Sequence, residues 1–305
     1  MKKGRLPRTK ATEFDWSIER TDSHAHRLRL DYPSRTATRT IYLLTDLHWD
    51  SAHCQRDVLQ RHLEQAKNEN ALILMAGDIF DVMQGKWDPR RDQSVLRPEH
   101  RGNRYLDSIL ETSVEWFAPY APYIALMSPG NHETSVQSRN DTDLIQRLAD
   151  GLRPHGFRGA VGQYWGFVLV MCEFLTTSLS KRIHYHHGYG GGGEITRGLI
   201  DNSRTRSQYE GADVYVSGHI HRRNVDENNP IRLTPRGNIE IVQQYFLRCA
   251  SYKLEHGDGW HVSKGRAARP IGGWAVDLTW RRLQGKHEPN EDGRREFIQI
   301  TTRML

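Results

Sequence analysis

The pattern of apolar and polar positions predicts strands and helices in alternation over the first half of the chain. An apolar run at residues 41–44 is followed by apolar positions at helical spacing over residues 58–66. The same order returns with a strand at 71–75, a helix at 105–117 and a strand at 123–127. Such alternation is typical of a layered α/β core.

The second half of the chain, after a helix predicted around residues 143–152, is rich in strand patterns. A hairpin is predicted over residues 231–241, with its turn at residues 235–238. Together these patterns predict a second sheet. The other predicted strands cover residues 165–172, 182–187, 213–216, 239–247, 274–279 and 296–300.

The chain divides by composition into an arm and one domain. Residues 1–38 are polar and basic with weak periodicity, so we interpret them as a basic N-terminal arm. Residues 39–305 are interpreted as a single domain, which carries a basic insert at 84–104 and a β-rich C-terminal extension at 231–305.

Composition and charge change this picture only in outline. With 37% hydrophobic and 26% charged residues the chain is neither disordered nor collagen-like. Its longest apolar stretches, residues 71–76 and 167–172, are far shorter than the ~20 residues that cross a membrane. No apolar signal segment follows the basic start, so we expect a cytoplasmic protein without a membrane partner. The net charge of +6 favours phosphate-bearing ligands.

Polar clusters stand where the predicted strands end. Loops beyond the carboxyl ends of strands converge in open α/β sheets, so we expect these clusters to form one crevice. The chain has 16 histidines and only three scattered cysteines, which favours imidazole and carboxylate over thiolate as metal ligands. Two divalent ions need a carboxylate bridge, and Asp78 is the natural candidate. The clusters are Asp46-Leu47-His48, Gly77-Asp78-Ile79-Phe80-Asp81, Gly130-Asn131-His132-Glu133, His186-His187-Gly188 and Gly218-His219-Ile220-His221.

These five motifs, in this order over about residues 40–222, resemble the metal-site motifs of the calcineurin-like metallophosphoesterase superfamily. The resemblance implies a four-layer αββα sandwich of two mixed β-sheets flanked by helices, with the metal site at the strand carboxyl ends. It implies two divalent metal ions and a phosphate-ester substrate. One ion would be held by Asp46, His48, Asp78 and His221, and the other by Asp78, Asn131, His187 and His219.

The resemblance also implies a mechanism. The two ions would lower the pKa of a shared water, so that a metal-bridged hydroxide attacks the phosphorus. His132 would be the catalytic histidine and would protonate the leaving oxygen. Asp81 would be its partner, which orients His132 and stabilises its protonated form. The resemblance favours manganese (Mn²⁺), and the ligand types also suit zinc or iron.

Several assignments keep an alternative. His184, His186 and His187 lie in one run, and the glycine after His187 favours that residue over His186 as the ligand. Asp81 could be a plain helix or turn carboxylate. Glu133 either supports the metal site or lies on the surface. The glycine-rich loop at residues 188–193 either approaches the substrate or is a simple linker.

The substrate has to be chosen by what surrounds the metal site. We expect Arg90, Arg91 and Arg97 of the basic insert to track a phosphate backbone, and Trp87 to stack on a base. Arg222, directly after the last motif, could line the rim of the cleft. The alternative for the insert is a solvated loop or a dimer contact.

Departures from the superfamily patterns narrow the function. Protein Ser/Thr phosphatases carry an Arg-Gly pair where this chain has Val82-Met83, and the tyrosine ligand of purple acid phosphatases is missing from its expected place. We therefore expect a phosphodiesterase of phage or bacterial type that acts as a DNA nuclease. The alternatives are a hydrolase of small phosphates (cyclic nucleotides, nucleotides or phosphomonoesters) and a non-catalytic, metal-stabilised binding module.

Overall fold

Two large mixed β-sheets, the helices outside them and a separate β-hairpin make up the described part of the protein, as a computed structural model shows. This architecture confirms the predicted fold class. No helix in the described part of the chain is long and apolar enough to cross a membrane. The structure describes residues 15–82, 96–191, 193, 195–235, 237–254, 265, 268–283 and 295–305.

The six-stranded sheet has the parallel strands β3, β4 and β5 at its centre and an antiparallel edge formed near the end of the chain. Its strands, in spatial order, are β15 (Glu296–Met304), β14 (Trp274–Arg282), β3 (Thr38–Leu44), β4 (Leu72–Ala76), β5 (Ile124–Ser128) and β6 (Ala160–Val161).

In the seven-stranded sheet the strands β8 and β9 run parallel to each other, and the loops that follow them belong to the site described below. Its strands, in spatial order, are β1 (Trp16–Asp22), β2 (Ala25–Asp31), β7 (Trp165–Phe174), β8 (Thr177–His186), β9 (Val214–Ser217), β13 (Gln244–Arg248) and β10 (Asn224–Asn228). A separate hairpin joins β11 (Ile231–Leu233) to β12 (Ile239–Ile241), as the sequence predicts.

The helices are α1 (Arg56–Asn68), α2 (Tyr105–Phe117), α3 (Asn131–Asn140), α4 (Leu144–Leu152) and α5 (Leu199–Gln208). Apolar residues of α1, α2 and α4 pack with Tyr42 and Ile73 on the outer face of the six-stranded sheet. Helix α5 lies outside the other sheet, where Asn202 lines a small pocket with Tyr215.

Successive side chains of β3 point to opposite faces of the sheet, and both faces are buried, which explains the continuous apolar run of this strand. Ile41 and Leu43 belong to the core shared by both sheets, while Tyr42 and Leu44 belong to the core beneath the helices. A strand covered on both faces needs apolar residues at every position. The runs in β4 and β5 are buried in the same way.

The expected N-terminal arm differs from what the structure shows for residues 15–38. Strand β2 pairs with β1 and also runs parallel to β7, and Leu28 and Leu30 are fully buried in the core between the sheets. Arginines alternate with these leucines, which lowers the local hydropathy and conceals the strand from a search for apolar runs. Residues 1–14 lie outside the described residues.

Two further details differ from the expected elements. The predicted strand at 239–247 is divided into β12 and β13, which belong to different sheets. Helices α3 and α5 were not expected, because most of their residues are polar. The C-terminal extension is built into both sheets through β13, β14 and β15.

Candidate metal centre

Five loops carry the sequence motifs, and each follows the carboxyl end of a strand. Strands β3, β4 and β5 supply three of these loops from one sheet, and β8 and β9 supply two from the other. The backbones of the first two loops are tied together, since His48 N donates to Asp78 O (3.1 Å) and Asp46 N to Gly77 O (3.0 Å). The expected site therefore lies at the carboxyl ends of the strands, where loops from both sheets meet.

One group of side-chain atoms that could hold a metal ion comes from Asp46, His48 and His221. The Nε2 atoms of the two histidines are 3.2 Å apart, and His221 Nε2 is 3.3 Å from Asp46 Oδ1. Two imidazole nitrogens that face each other beside a carboxylate oxygen converge on one point. This is the arrangement that a metal ion requires of its ligands.

A second group contains Asp78, His187 and His219. His187 Nε2 is 3.1 Å from Asp78 Oδ2, and Asn131 Oδ1 lies 3.0 Å from His187 Nε2 and 2.8 Å from His219 Nδ1. The other nitrogen of His187 is turned to the carbonyl of Ala76, at 3.2 Å. Side-chain oxygens of Asn131 and Asp78 thus lie beside the ring nitrogens of His187 and His219.

Asp78 also belongs to a third group, with His48 and His132. His132 Nε2 is 3.6 Å from Asp78 Oδ2. Asp78 therefore lies between the two pairs of histidines, at the position expected for a carboxylate that serves two ions.

The charges of this region suit divalent cations. Asp46 and Asp78 are buried, and among the described residues their ion-pair partners are all histidines. Burial lowers the pKa of His187, but the carboxylates of Asp78, Asp46 and Glu133 together outweigh it and raise that pKa to about 9. Similarly, burial raises the pKa of Asp46, while the hydrogen bond from His221 and the charge of His187 lower it to about 2. Buried carboxylates of this kind need positive charge, which metal ions can supply.

The backbone at the candidate ligands is unusual. Asp46, His48, Asp78, His219 and His221 have φ values between 47° and 73°, in the left-handed region that non-glycine residues seldom adopt. Such conformations cost free energy and occur mainly at functional sites, where the surrounding structure maintains them.

Glycines allow the ligand loops to approach each other. Gly77 has a φ of 93°, and a Cβ atom there would lie 2.4 Å from His187 Nδ1. At Gly130, a Cβ atom would lie 2.1 Å from Asp78 Oδ1. A side chain at either position would displace a candidate ligand.

Glu133 is a buried residue that supports the site. Its carboxylate accepts hydrogen bonds from the backbone N–H groups of Gly130 (2.8 Å), Phe80 (2.8 Å) and Asp78 (3.2 Å). Burial and the nearby Asp78 raise the pKa of Glu133 to about 7. Of the two alternatives for Glu133, the structure supports the one in which it holds the ligand loops.

Asp81 contacts His132 through its backbone rather than through its carboxylate. The Asp81 carbonyl oxygen is 2.5 Å from His132 Nδ1, whereas its Oδ1 atom is 3.9 Å from that nitrogen. The same Oδ1 atom is 3.0 Å from His48 Nδ1 and 2.7 Å from Lys253 Nζ. The expected pairing of Asp81 with His132 is present, but the side chain serves different partners.

His186 and His187 point to different places. His187 faces the metal groups, while His186 Nδ1 accepts a hydrogen bond from Gly188 N (2.9 Å) and its ring lies against Tyr164 and Tyr189. The geometry therefore agrees with the choice of His187 over His186.

The expected substrate contacts are only partly visible. Trp87, Arg90 and Arg91 lie outside the described residues. Arg97 donates hydrogen bonds to the carbonyl oxygens of Ser51 (2.9 Å) and Cys54 (3.0 Å), so it stabilises the loop after Asp46. Arg222 is half-buried directly after His221.

Two residues at the site were missed by sequence reasoning. Asp50 accepts hydrogen bonds from the backbone N–H groups of Asp81 (2.5 Å) and Val82 (3.0 Å). Its spacing of two from His48 continues the alternation of Asp46 and His48, which could have indicated it. Lys253 stands in no motif, and no signal in the sequence marks it.

Comparison with known proteins gives a family and two structural likenesses. The family model for calcineurin-like phosphoesterase matches residues 39–223. A solved metallophosphoesterase from Sphaerobacter thermophilus is 11% identical, with 88% of each chain covered and a TM-score of 0.35. GAP50, the anchor in the inner membrane complex of Plasmodium, is 13% identical, with 88% of each chain covered and a TM-score of 0.38. No curated protein matches the chain.

Proposed function

The chain belongs to the calcineurin-like phosphoesterase family, and from that premise we propose that it hydrolyses phosphodiester bonds with two divalent metal ions, with DNA as its substrate. The observation that carries this proposal is the position of Asp78 between two groups of histidines, with His132 beside it. When bound, two divalent ions activate a water molecule and neutralise charge on the phosphate.

The ligand roles proposed here follow the geometry. Carboxylate, imidazole and amide donors suit Mn²⁺, and they also suit zinc and iron. One ion would take Asp46, His48, Asp78 and His221, and the other Asp78, Asn131, His187 and His219.

His132 is proposed as the general acid for the leaving oxygen. Its Nδ1 atom donates to the carbonyl of Asp81, so Nε2 is the nitrogen that can exchange a proton with a substrate. Nε2 lies near the Asp78 carboxylate (3.6 Å), and the ring is almost fully buried. Asp81 orients the ring through its backbone, which keeps its carboxylate available for His48.

DNA is favoured as substrate by the net charge of +6 and by Arg90 and Arg91 in the basic insert. One observation favours a small phosphate ester instead. Arg97, the third basic residue expected to follow a phosphate backbone, donates its hydrogen bonds to Ser51 and Cys54. A smaller number of phosphate contacts suits a smaller substrate, so a hydrolase of small phosphates is the second candidate.

A substrate panel distinguishes these candidates. The purified protein is incubated with Mn²⁺ and bis-p-nitrophenyl phosphate, p-nitrophenyl phosphate, cyclic nucleotides, and single- and double-stranded DNA, with EDTA as the metal-free control. We expect cleavage of DNA and of the diester, abolished by EDTA, with KM for DNA rising steeply with salt.

Each other outcome has a definite meaning. Turnover of cyclic nucleotides or monoesters without DNA cleavage, and with little response to salt, supports the second candidate. Bound metal without hydrolysis of any substrate supports the metal-stabilised binding module. An Asp78→Asn variant controls for contaminating nucleases, because it retains the surface of the parent protein.

A further inference from the structure

We propose that Lys253 is a positioning residue for the metal centre, acting through Asp81 on His48 and His132. The inference rests on the proposed function of the site. Lys253 lies outside residues 39–223, which the family model matches. Of the buried carboxylates of Asp46, Asp50, Asp78, Asp81 and Glu133, that of Asp81 is the one with a lysine or arginine partner among the described residues.

The backbone before Lys253 is fixed to the loop that holds Asp46. Ser251 Oγ and Tyr252 N both donate to the Asp46 carbonyl oxygen, each at 2.9 Å. Lys253 N in turn donates to Ser251 Oγ (2.9 Å), and Lys253 forms an isolated bridge with Cys54. These hydrogen bonds fix the backbone of Lys253 beside the loop that carries Asp46.

The side chain of Lys253 ends on an oxygen that also meets a candidate ligand. Asp81 Oδ1 lies 2.7 Å from Lys253 Nζ and 3.0 Å from His48 Nδ1. A carboxylate at Nδ1 keeps the proton on that nitrogen and leaves Nε2 of His48 free to bind a metal. His48 Nε2 is the atom that faces His221.

Asp81 therefore orients two functional histidines with two different oxygens. Its carboxylate lies at ion-pair distance from His48 Nδ1 (3.0 Å), and its carbonyl oxygen accepts a hydrogen bond from His132 Nδ1. The Asp81 side chain is only 3% exposed, so few water molecules can replace a lost partner. Removal of the lysine leaves this carboxylate with its charge unbalanced, and a buried group in that state changes its position or its partners.

The test compares Lys253→Met with Lys253→Arg in the full chain. Isothermal titration with Mn²⁺ measures the affinity for each ion. In Lys253→Met we expect one ion to bind about 10–100-fold more weakly, the size usual for lost support of a ligand, and the other to be little changed. Lys253→Arg retains the charge and should restore most of the affinity. A general structural defect would weaken both ions, and arginine would not rescue it.

Lys181→Met is the matched control, because Lys181 Nζ also contacts an aspartate, Asp213, at 3.4 Å but away from the metal groups. It should leave both affinities unchanged. If Lys253→Met does not fold, Lys253→Gln is compared with Lys253→Arg in the same way. Equal Mn²⁺ affinities in parent and neutral variant would overturn the proposal, as would a parent that binds no Mn²⁺.

The metal readout separates this proposal from the proposed function. A parent that binds two Mn²⁺ ions but hydrolyses no substrate contradicts the proposed function, while the selective loss of one ion in Lys253→Met still supports the positioning role. Where the parent is active, kcat should fall in Lys253→Met with KM little changed, because no contact with the substrate is removed.

Discussion

Asp78 lies in two of the groups of side chains that could hold a metal ion, and its replacement tests whether it serves both ions. Asp78→Asn removes one negative charge and one strong oxygen ligand, so we expect both ions to be lost or greatly weakened. His48→Ala should weaken mainly one ion. Metal analysis of the purified variants checks this, and two ions retained in Asp78→Asn would contradict the shared role.

His132 is close enough to Asp78 to be a ligand, yet we propose that it acts on the leaving group. His132→Ala should then keep its metal content while kcat falls by about 10²–10⁴-fold, the usual effect of losing a general acid. The loss should be smaller for a p-nitrophenolate leaving group, which needs no proton, than for a nucleoside alkoxide. Equal losses on both substrates, or loss of metal, would show that the assignment is wrong.

Single residues also show how far sequence reasoning reaches. The motifs predicted which residues gather, because a strand end and its glycines constrain the local backbone. The partners of Asp81 could not be predicted in this way. Its carbonyl meets His132, while its carboxylate lies against Lys253, which is 172 positions away and stands in no pattern.

At the level of elements, the buried central strands were predicted and the strands at one edge were not. Residues 41–44 of β3 and all of β4 and β5 are buried on both faces, and apolar side chains occupy nearly all of these positions. Strand β1 has a single buried residue, and its pattern resembles that of a surface loop. Strand β1 pairs with β2, which itself pairs with the distant β7, and pairing between distant segments is not visible in a local pattern.

A pair of double variants tests whether β2 belongs to the core or to a loose arm. Leu28→Ala and Leu30→Ala remove fully buried side chains, and each should lower the free energy of unfolding by about 2–5 kcal/mol. Arg27→Ala with Arg29→Ala alters the opposite face, where the partly exposed ion pairs contribute about 0–1 kcal/mol each. Urea denaturation measures both. Similar stability of the two double variants would favour the arm.

The stability of the whole molecule should depend on pH through a buried histidine outside the metal centre. His184 is packed among the rings of Phe167, Tyr209 and Tyr215, and burial lowers its pKa to about 3. Neither ring nitrogen has a hydrogen-bond partner among the described residues.

The direction of the pH dependence follows from the number of protons that the folded and the unfolded protein bind. Below the unfolded pKa of 6.5 the unfolded chain binds a proton at His184 and the folded protein does not, so stability falls as the pH drops from about 6.5 toward 3. One such group contributes up to about 1.4 kcal/mol per pH unit. His184→Phe should flatten the curve of unfolding free energy against pH in this range.

The exposed His155 provides the control, and His155→Phe should leave the slope of that curve as in the parent. Denaturation midpoints between pH 4 and pH 7 supply the measurement. An unchanged slope in His184→Phe would mean that His184 is protonated in the folded protein.

The candidate ligands come from both sheets, with Asp46, Asp78 and Asn131 after strands of one and His187 and His219 after strands of the other. An ion bound there would be a cross-link between the two halves of the sandwich. Thermodynamic linkage then makes metal affinity part of folding stability, and a ligand at 100 times its Kd adds about 2.7 kcal/mol. Under this linkage, the free energy that keeps the two sheets together rises with the concentration of free metal ion.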